Sequence, residues 1–343
     1  MKLYDQNGYV NIPWIRSLGL PFNLLCGGRG TGKTYGGIKE ADESGSKFIF
    51  MRRTDRVLET IRTPELSPFK KYNSDTGRNL GFARSGRIDA IYNFEPDADG
   101  KLRPAGPILG YLLALSTISN IRGFDASDVD LWIYDEFIKE DHQPDLRGEG
   151  KALLNAYETI NRNRELYGEK PVQLFGFSNS NKLDNPIFIE LGLVQRAEKM
   201  QRNGTEIHID RERGIGLFML QHSPISAQKE DTALYKLTGD SEFSRMALGN
   251  EFKEISDLSI GNRPLVEFKP VVGIGEITIY KHKSKPEYYV TSHRSGDPPV
   301  FGMSETERSR FFRVYNYLWT SYMKNKITFE TSTDEILFQR AFD

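Results

Sequence analysis

Phe22-Asn23-Leu24-Leu25-Cys26-Gly27-Gly28-Arg29-Gly30-Thr31-Gly32-Lys33-Thr34 runs from an apolar stretch into a glycine-rich loop, with a helix-compatible segment behind it. Positions 27–34 match GxxxxGK[ST] at every fixed letter, in the strand-loop-helix setting that this pattern requires. The chemistry it encodes is a phosphate cradle. Gly27, Gly28, Gly30 and Gly32 let the backbone turn so that N–H groups, those of Arg29 and Thr31 included, face an anion. The positive end of the following helix favours the anion, Lys33 bridges phosphates and the Thr34 hydroxyl is placed to ligate Mg²⁺. A nucleotide is therefore the expected ligand, and an α/β fold the expected setting.

Working outward, Asp130-Leu131-Trp132-Ile133-Tyr134-Asp135-Glu136 reads as a buried strand with two carboxylates at its end. Behind a phosphate loop, Asp135 fits an orienter of Mg²⁺ acting from outside its ligand set or through water, and Glu136 fits the group that polarises an attacking water. The two motifs are expected on neighbouring strands of one sheet. Lys47 to Met51 reads as another strand, and Arg52-Arg53 at its end suits phosphates, a neighbouring chain or a solvated turn. Val172 to Asn179 is a further buried strand whose polar end, Asn179, can hold the lytic water or sense the γ-phosphate.

Gly150 to Leu166 carries Leu153, Leu154, Tyr157 and Ile160 at helical spacing and ends in Asn161-Arg162-Asn163-Arg164. Arginines there either offset the helix dipole or project across a subunit boundary toward a neighbour's γ-phosphate. Asn181-Lys182-Leu183-Asp184 fits the guanine-reading NKxD pattern, which keeps a GTPase-like switch open as an alternative. The acidic strand, however, continues Asp135-Glu136-Phe137-Ile138 and lacks the DxxG of GTPases, so ATP is the expected nucleotide. A third possibility is a structural adaptor with a relic nucleotide site, binding a partner protein or RNA without turnover.

The remaining chain is read for organisation. Tyr4, Tyr9 and Trp14 precede the first strand and either fold over the nucleotide base or pack on the sheet. Residues 54–107 read as an insertion whose basic points, Lys70, Lys71, Lys101 and Arg103, are candidates to meet a polyanion. Three regions are expected: a P-loop domain over 1–197, a linker region over 198–228 and a smaller α+β domain over 229–343. In the last, Tyr235 to Phe252 reads as helix, Leu265 to Phe268, Ile274 to Tyr280 and Glu287 to Thr291 as strands, and Glu305 to Lys324 and Thr333 to Phe342 as helices.

Composition narrows the partners. The chain has 343 residues, 38% hydrophobic, with a net charge of -1, which supplies no overall basic field for nucleic acid. One cysteine, Cys26, excludes an internal disulfide, and the five histidines show no zinc-ligand spacing. No run approaches the roughly 18 apolar residues of a membrane span, and no signal-peptide core opens the chain, so an intracellular, membrane-free protein is expected.

Taken together, GGRGTGKT, the strand ending FMRR, LWIYDEFIKE, LLNAYETINRNRE and FSNSNKLDNPIF resemble, in order and spacing, the DNA-packaging ATPases (encapsidation proteins) of phi29-type phages, over roughly residues 20–195. The resemblance implies an additional-strand P-loop ATPase (RecA-like) domain followed by a reduced RNase H-like domain. It implies a homopentameric ring on the portal vertex of an empty prohead, in the host cytoplasm, driving double-stranded DNA inward with ATP and Mg²⁺. A structural RNA can sit between portal and motor in such rings, which makes prohead RNA a candidate partner.

Carried over by position, Lys33 and Thr34 are similar to the phosphate and Mg²⁺ ligands, and Asp135 and Glu136 to the Walker B acid and catalytic base. Arg162 resembles the trans-acting arginine finger, with Arg164 the second choice. Arg56 lies near the family's basic residue after the arginine pair, although Thr54 and Asp55 intervene. Arg122 and Lys139 resemble basic positions that face the DNA channel, and Lys101 joins them as a candidate DNA contact. The C-terminal strands offer Glu267, Glu276 and Glu287 and no aspartate, a poor set for a two-metal nuclease, so docking or nucleic-acid binding is expected there. The Lys281-His282-Lys283-Ser284-Lys285 run suits phosphate contact.

Overall fold

The structure is a computed structural model that describes residues 2–86, 88–121, 124–139, 143, 146–179, 182–229, 232–238 and 261–343. The chain divides into two compact units, one of residues 1–146, 152–181 and 203–251, the other of 147–151, 182–202 and 252–343.

The first unit is built on a nine-stranded sheet. Its strands are β1 (Phe22–Gly27), β2 (Phe48–Arg52), β3 (Leu80–Ser85), β4 (Ile88–Pro96), β5 (Leu102–Ala114), β6 (Leu131–Asp135), β7 (Gln173–Ser178), β8 (Ile207–Asp210) and β9 (Ile215–Leu220). The order across the sheet is β3-β4-β5-β2-β6-β7-β1-β9-β8. The run from β5 to β9 is parallel, and antiparallel strands close both edges. Parallel strands need both faces covered, and the near-continuous apolar runs of β2, β6, β7 and β9 meet that need.

Helix α1 (Ile12–Ser17) precedes these strands, and α2 (Lys33–Glu43), α3 (Asp55–Ile61), α4 (Lys70–Thr76) and α5 (Glu149–Asn161) lie in connections between them. Leu25, Ile38, Phe48, Phe50, Ile133 and Phe177 form part of the core between α2 and the sheet. Each such side chain contributes about 1.5–3 kcal/mol on burial. Close approach is enforced at Gly37, where a Cβ would lie 2.8 Å from the Phe177 ring.

Two expectations are corrected here. The two motif strands, β1 and β6, are not neighbours, because β7 pairs with both. The apolar β7 is buried on both faces and takes the central place, and strand order of this kind is carried by packing, not by local sequence. Residues 198–228 are also not a linker. They contain β8 and β9, and β9 is buried throughout and pairs in parallel with β1 from Phe22↔Ile215 to Gly27↔Leu220. Strand-like runs at 205–209 and 216–220 are visible in the sequence, and the structure pairs β8 with β9 as a hairpin on the edge of the sheet. By contrast, residues 54–107 do form an extension of the sheet, through β3, β4 and β5, as an insertion should.

The second unit contains α6 (Pro186–Leu191) and α7 (Val194–Arg202), so the expected domain break at 197 does not hold in these contacts. Asn185 caps α6, accepting from the Phe188 N–H at 2.9 Å, with proline at the first helical position. In the first unit, α8 (Pro224–Lys229) and α9 (Ala233–Thr238) follow β9; the rest of the helix expected over 235–252 lies outside the described residues.

A five-stranded sheet forms the body of the second unit: β10 (Phe268–Ile274), β11 (Ile277–His282), β12 (Tyr288–Thr291), β13 (Val300–Phe301) and β14 (Ile327–Phe329), in the order β13-β10-β11-β12-β14. Helices α10 (Glu305–Met323) and α11 (Ser332–Phe342) join it through Phe311, Trp319, Phe329, Phe338 and Phe342. Leu265 to Glu267, expected as strand, is a 3-10 turn leading into β10. The extended run only begins at Phe268, the first of these side chains to be buried.

Candidate nucleotide site

The carboxyl ends of β1, β2, β6 and β7 converge on one set of polar groups. After β1 the chain turns through Gly30 and Gly32 at φ +74° and +87°, a left-handed conformation that side chains resist. Val10 N–H donates to the Thr31 carbonyl at 3.0 Å and ties the loop to the N-terminal segment. Lys33 begins α2 and points back into the loop, where its Nζ donates to the carbonyls of Gly27 at 2.8 Å and Gly28 at 2.9 Å and to Thr31 Oγ1 at 3.1 Å. Burial pushes the Lys33 ammonium down to about 8. An ammonium held this way is poised to exchange backbone carbonyls for phosphate oxygens.

Thr34 Oγ1 donates to Asp135 Oδ1 at 2.8 Å, across the intervening β7. This contact brings the two motifs into one site. The other oxygen of Asp135 meets Arg52 at 2.8 Å, and a second Arg52 nitrogen pairs with Glu136. Register explains the clamp, since Met51 lies opposite Tyr134 and the next residues on each strand therefore meet. Arg52 thus engages carboxylates, where phosphates or another chain had been alternatives; Arg53 is buried and donates to Gln143 at 3.2 Å. Glu136 has φ +56°, an uncommon conformation for a non-glycine residue, and the Phe137 N–H that follows is fixed on the Phe177 carbonyl at 3.0 Å.

Ser178 lies opposite Cys26, so Asn179 emerges beside the loop, half-buried. Cys26 itself is a buried thiol, pushed up to about 12 by desolvation, and plays a packing role. Of the three N-terminal aromatics, Trp14 packs edge-on against Phe218 and the Tyr4 hydroxyl donates to Glu206. Only Tyr9 adjoins the loop, where a Cβ at Gly32 would meet its side chain at 3.0 Å.

Arg162 sits elsewhere. It ends α5 at φ +49°, and because α5 runs back from β6 to the start of β7, this places it at the amino end of the strands. Its guanidinium donates to the Phe124 carbonyl at 3.0 Å, lies 3.5 Å from Asp125 and remains about half exposed. Arg164 is buried, donates to the Ser127 carbonyl and lies 3.5 Å from Asp130. The two arginines therefore differ in availability.

Of the candidate DNA contacts, Arg56 is exposed on α3, Lys101 is exposed at the tip of the β4–β5 hairpin and Lys139 is half-buried after β6. These three are not gathered by any shared element. Arg122 lies outside the described residues, as does Asn181 of the NKxD pattern. Asp184 of that pattern accepts from Arg340 at 3.0 Å, which accounts for it as a structural contact. The sequence reading missed Lys229, which donates to the Arg29 carbonyl. No motif marks it.

The loop and carboxylate geometry fits Mg²⁺ with a nucleoside triphosphate: a hydroxyl and a carboxylate oxygen already face each other, beside a loop that turns through two left-handed glycines.

Comparison with known proteins follows the same direction. The family model of the podovirus DNA encapsidation protein (Gp16) matches residues 4–274. The DNA packaging protein of Bacillus phage B103 is 29% identical over 249 residues, covering 70% of this chain and 67% of that protein. That of Bacillus phage phi29 is 26% identical over 267 residues, covering 76% and 70%. Among solved structures, the phi28 gp11 DNA packaging motor has a TM-score of 0.61 at 19% identity, covering 98% of this chain and 97% of its own. The bacteriophage phi29 viral genome packaging motor assembly has a TM-score of 0.57 at 19% identity, covering 97% and 99%. The likeness is one of fold, and it spans the C-terminal region that the motifs left unsupported.

Proposed function

The chain belongs to the podovirus DNA encapsidation protein (Gp16) family, and we propose that it is the ATP-hydrolysing motor that drives double-stranded DNA into an empty phage prohead. The observation that carries this reading is the Thr34–Asp135 hydrogen bond, which joins phosphate loop and acidic strand with Glu136 next in line. Thr34 and Asp135 would hold Mg²⁺, which supplies charge neutralisation at the transferring phosphate. Lys33 and the loop N–H groups bind and orient the phosphates. Glu136 takes the proton of the attacking water once it leaves Arg52, and Asn179 orients that water.

Arg162 is the finger, acting on the site of a neighbouring subunit. Its position at the amino end of the strands keeps it from its own loop, and its exposure leaves it available to another. Arg164 is less suited, being buried in a structural contact. A ring follows from this division; a pentamer at the portal vertex, with prohead RNA as a further partner, is the arrangement proposed from family resemblance. Arg56, Lys101, Arg122 and Lys139 are the proposed DNA contacts.

In the C-terminal unit Glu276 accepts from the backbone N–H groups of Val194 and Gln195 at 3.2 and 3.3 Å, and Glu267 faces His282. Their engagement at these separate places supports docking or nucleic-acid binding there over nuclease chemistry. ATP hydrolysis measured with and without double-stranded DNA tests the whole reading. DNA stimulation is expected; equal rates, or a preference for GTP over ATP, contradict it.

A further inference from the structure

Lys229 stands 200 residues beyond Arg29, yet its ammonium donates to the Arg29 carbonyl at the tip of the phosphate loop. The contact is prepared by the backbone. Helix α8 is seated on the N-terminal turn, where a Cβ at Gly8 would lie 2.8 Å from Pro224. At the other end of α8 the Lys229 carbonyl accepts from Thr232 N–H at 2.9 Å and Thr232 Oγ1 at 2.8 Å. The side chain then lies over Gly30, where a Cβ would come within 2.5 Å of Nζ.

We propose that Lys229 is a second phosphate-binding lysine of the ATP site, delivered to the loop tip by α8. The proposal rests on the reading of residues 27–34 as the ATP loop.

Two ammonium groups share one loop here, and both are satisfied by its own oxygens. Among the described residues no carboxylate pairs with Lys229. Burial lowers its pKa, and its charge lowers that of Lys33 in turn. For a clip that only fastened the loop to α8, a neutral donor would serve without this repulsion. A polyanion entering the cradle reverses the sign of the balance, because both like charges, the buried Lys33 and the half-buried Lys229, then gain phosphate oxygens. The four-carbon stem lets Nζ swing from the Arg29 carbonyl to such an oxygen without moving the helix.

The test is titration calorimetry of the full chain with a non-hydrolysable ATP analogue and with inorganic tripolyphosphate, alongside melting of the nucleotide-free protein. Lys229→Gln is expected to weaken both ligands roughly tenfold to a hundredfold, the range of a charge-assisted hydrogen bond. Its nucleotide-free melting temperature should be unchanged or higher, and Lys229→Arg should recover most of the affinity. Wild-type or tighter binding by Lys229→Gln overturns the proposal, tighter binding meaning that the lysine obstructs the loop. Weaker binding with a lowered melting temperature that Lys229→Arg does not restore also overturns it, in favour of a clip. Lys33→Ala separates the premise: binding that survives this substitution rejects the ATP loop itself, whereas loss there with normal binding by Lys229→Gln rejects only the second lysine.

Discussion

At the carboxyl end of the large sheet Lys33, Thr34, Arg52, Asp135 and Glu136 are bonded to one another or to the loop, so charge is gathered and internally balanced. At the amino end the arginines are sorted differently: Arg164 is buried under the 127–130 turn, while Arg162, two residues earlier, is left about half exposed. The first end is organised for a ligand that one chain can bind alone. The second offers a cation that its own site cannot use. This contrast is the physical content of the proposal that catalysis is divided between subunits.

The largest expected effect lies at the amino end. With Arg162 as the proposed finger, Arg162→Ala should lower DNA-stimulated turnover by about 10³ to 10⁵, the range of an arginine finger, while the monomer's affinity for ATP is retained. Nucleotide titration beside steady-state rates separates the two. At the carboxyl end, Glu136→Gln should cut turnover by about 10² to 10⁴ with ATP still bound, since only proton transfer is lost. Normal turnover would remove Glu136 from the role of base.

Two smaller effects sharpen the comparison through stability. With Lys33 near 8 in the folded chain against an ordinary 10.5, the unfolded chain holds more protons between those values. Stability of the nucleotide-free protein should therefore rise across that pH window, by an amount on the order of 1–3 kcal/mol, and Lys33→Met should flatten the rise. Arg164→Ala should cost about 1–3 kcal/mol, because it empties the buried place of the guanidinium and removes its bond to the Ser127 carbonyl, whereas Arg162→Ala should stay within about 0.5 kcal/mol. Denaturant melts of the two variants read this difference directly, and equal losses would erase the distinction between them.

Much of the carboxyl end was legible in the sequence, because left-handed glycines and an apolar run ending in Asp-Glu are local signals. What joins them was not. Strand order depends on which apolar strand packs between which, so β7 between β1 and β6 had no signature of its own. The clamp of Arg52 on Asp135 and Glu136 follows from register between strands distant in sequence. Residues 198–228 read as a linker region although their runs at 205–209 and 216–220 are strand-like, because nothing local says that β9 pairs with β1, and Lys229 was invisible because its partner is a backbone carbonyl far upstream. The preference for Arg162 over Arg164 rests on resemblance, and their unequal burial is a contrast that no local sequence signal announced.

The central claim, a site completed by the next subunit, is tested most directly by mixing two inactive variants, Arg162→Ala and Glu136→Gln, and measuring DNA-stimulated ATP hydrolysis. In a mixed ring, an Arg162→Ala subunit keeps an intact Glu136 and can receive Arg162 from a Glu136→Gln neighbour. The account predicts activity well above that of either variant alone. A mixture no more active than its parents, in rings shown to contain both, would contradict it.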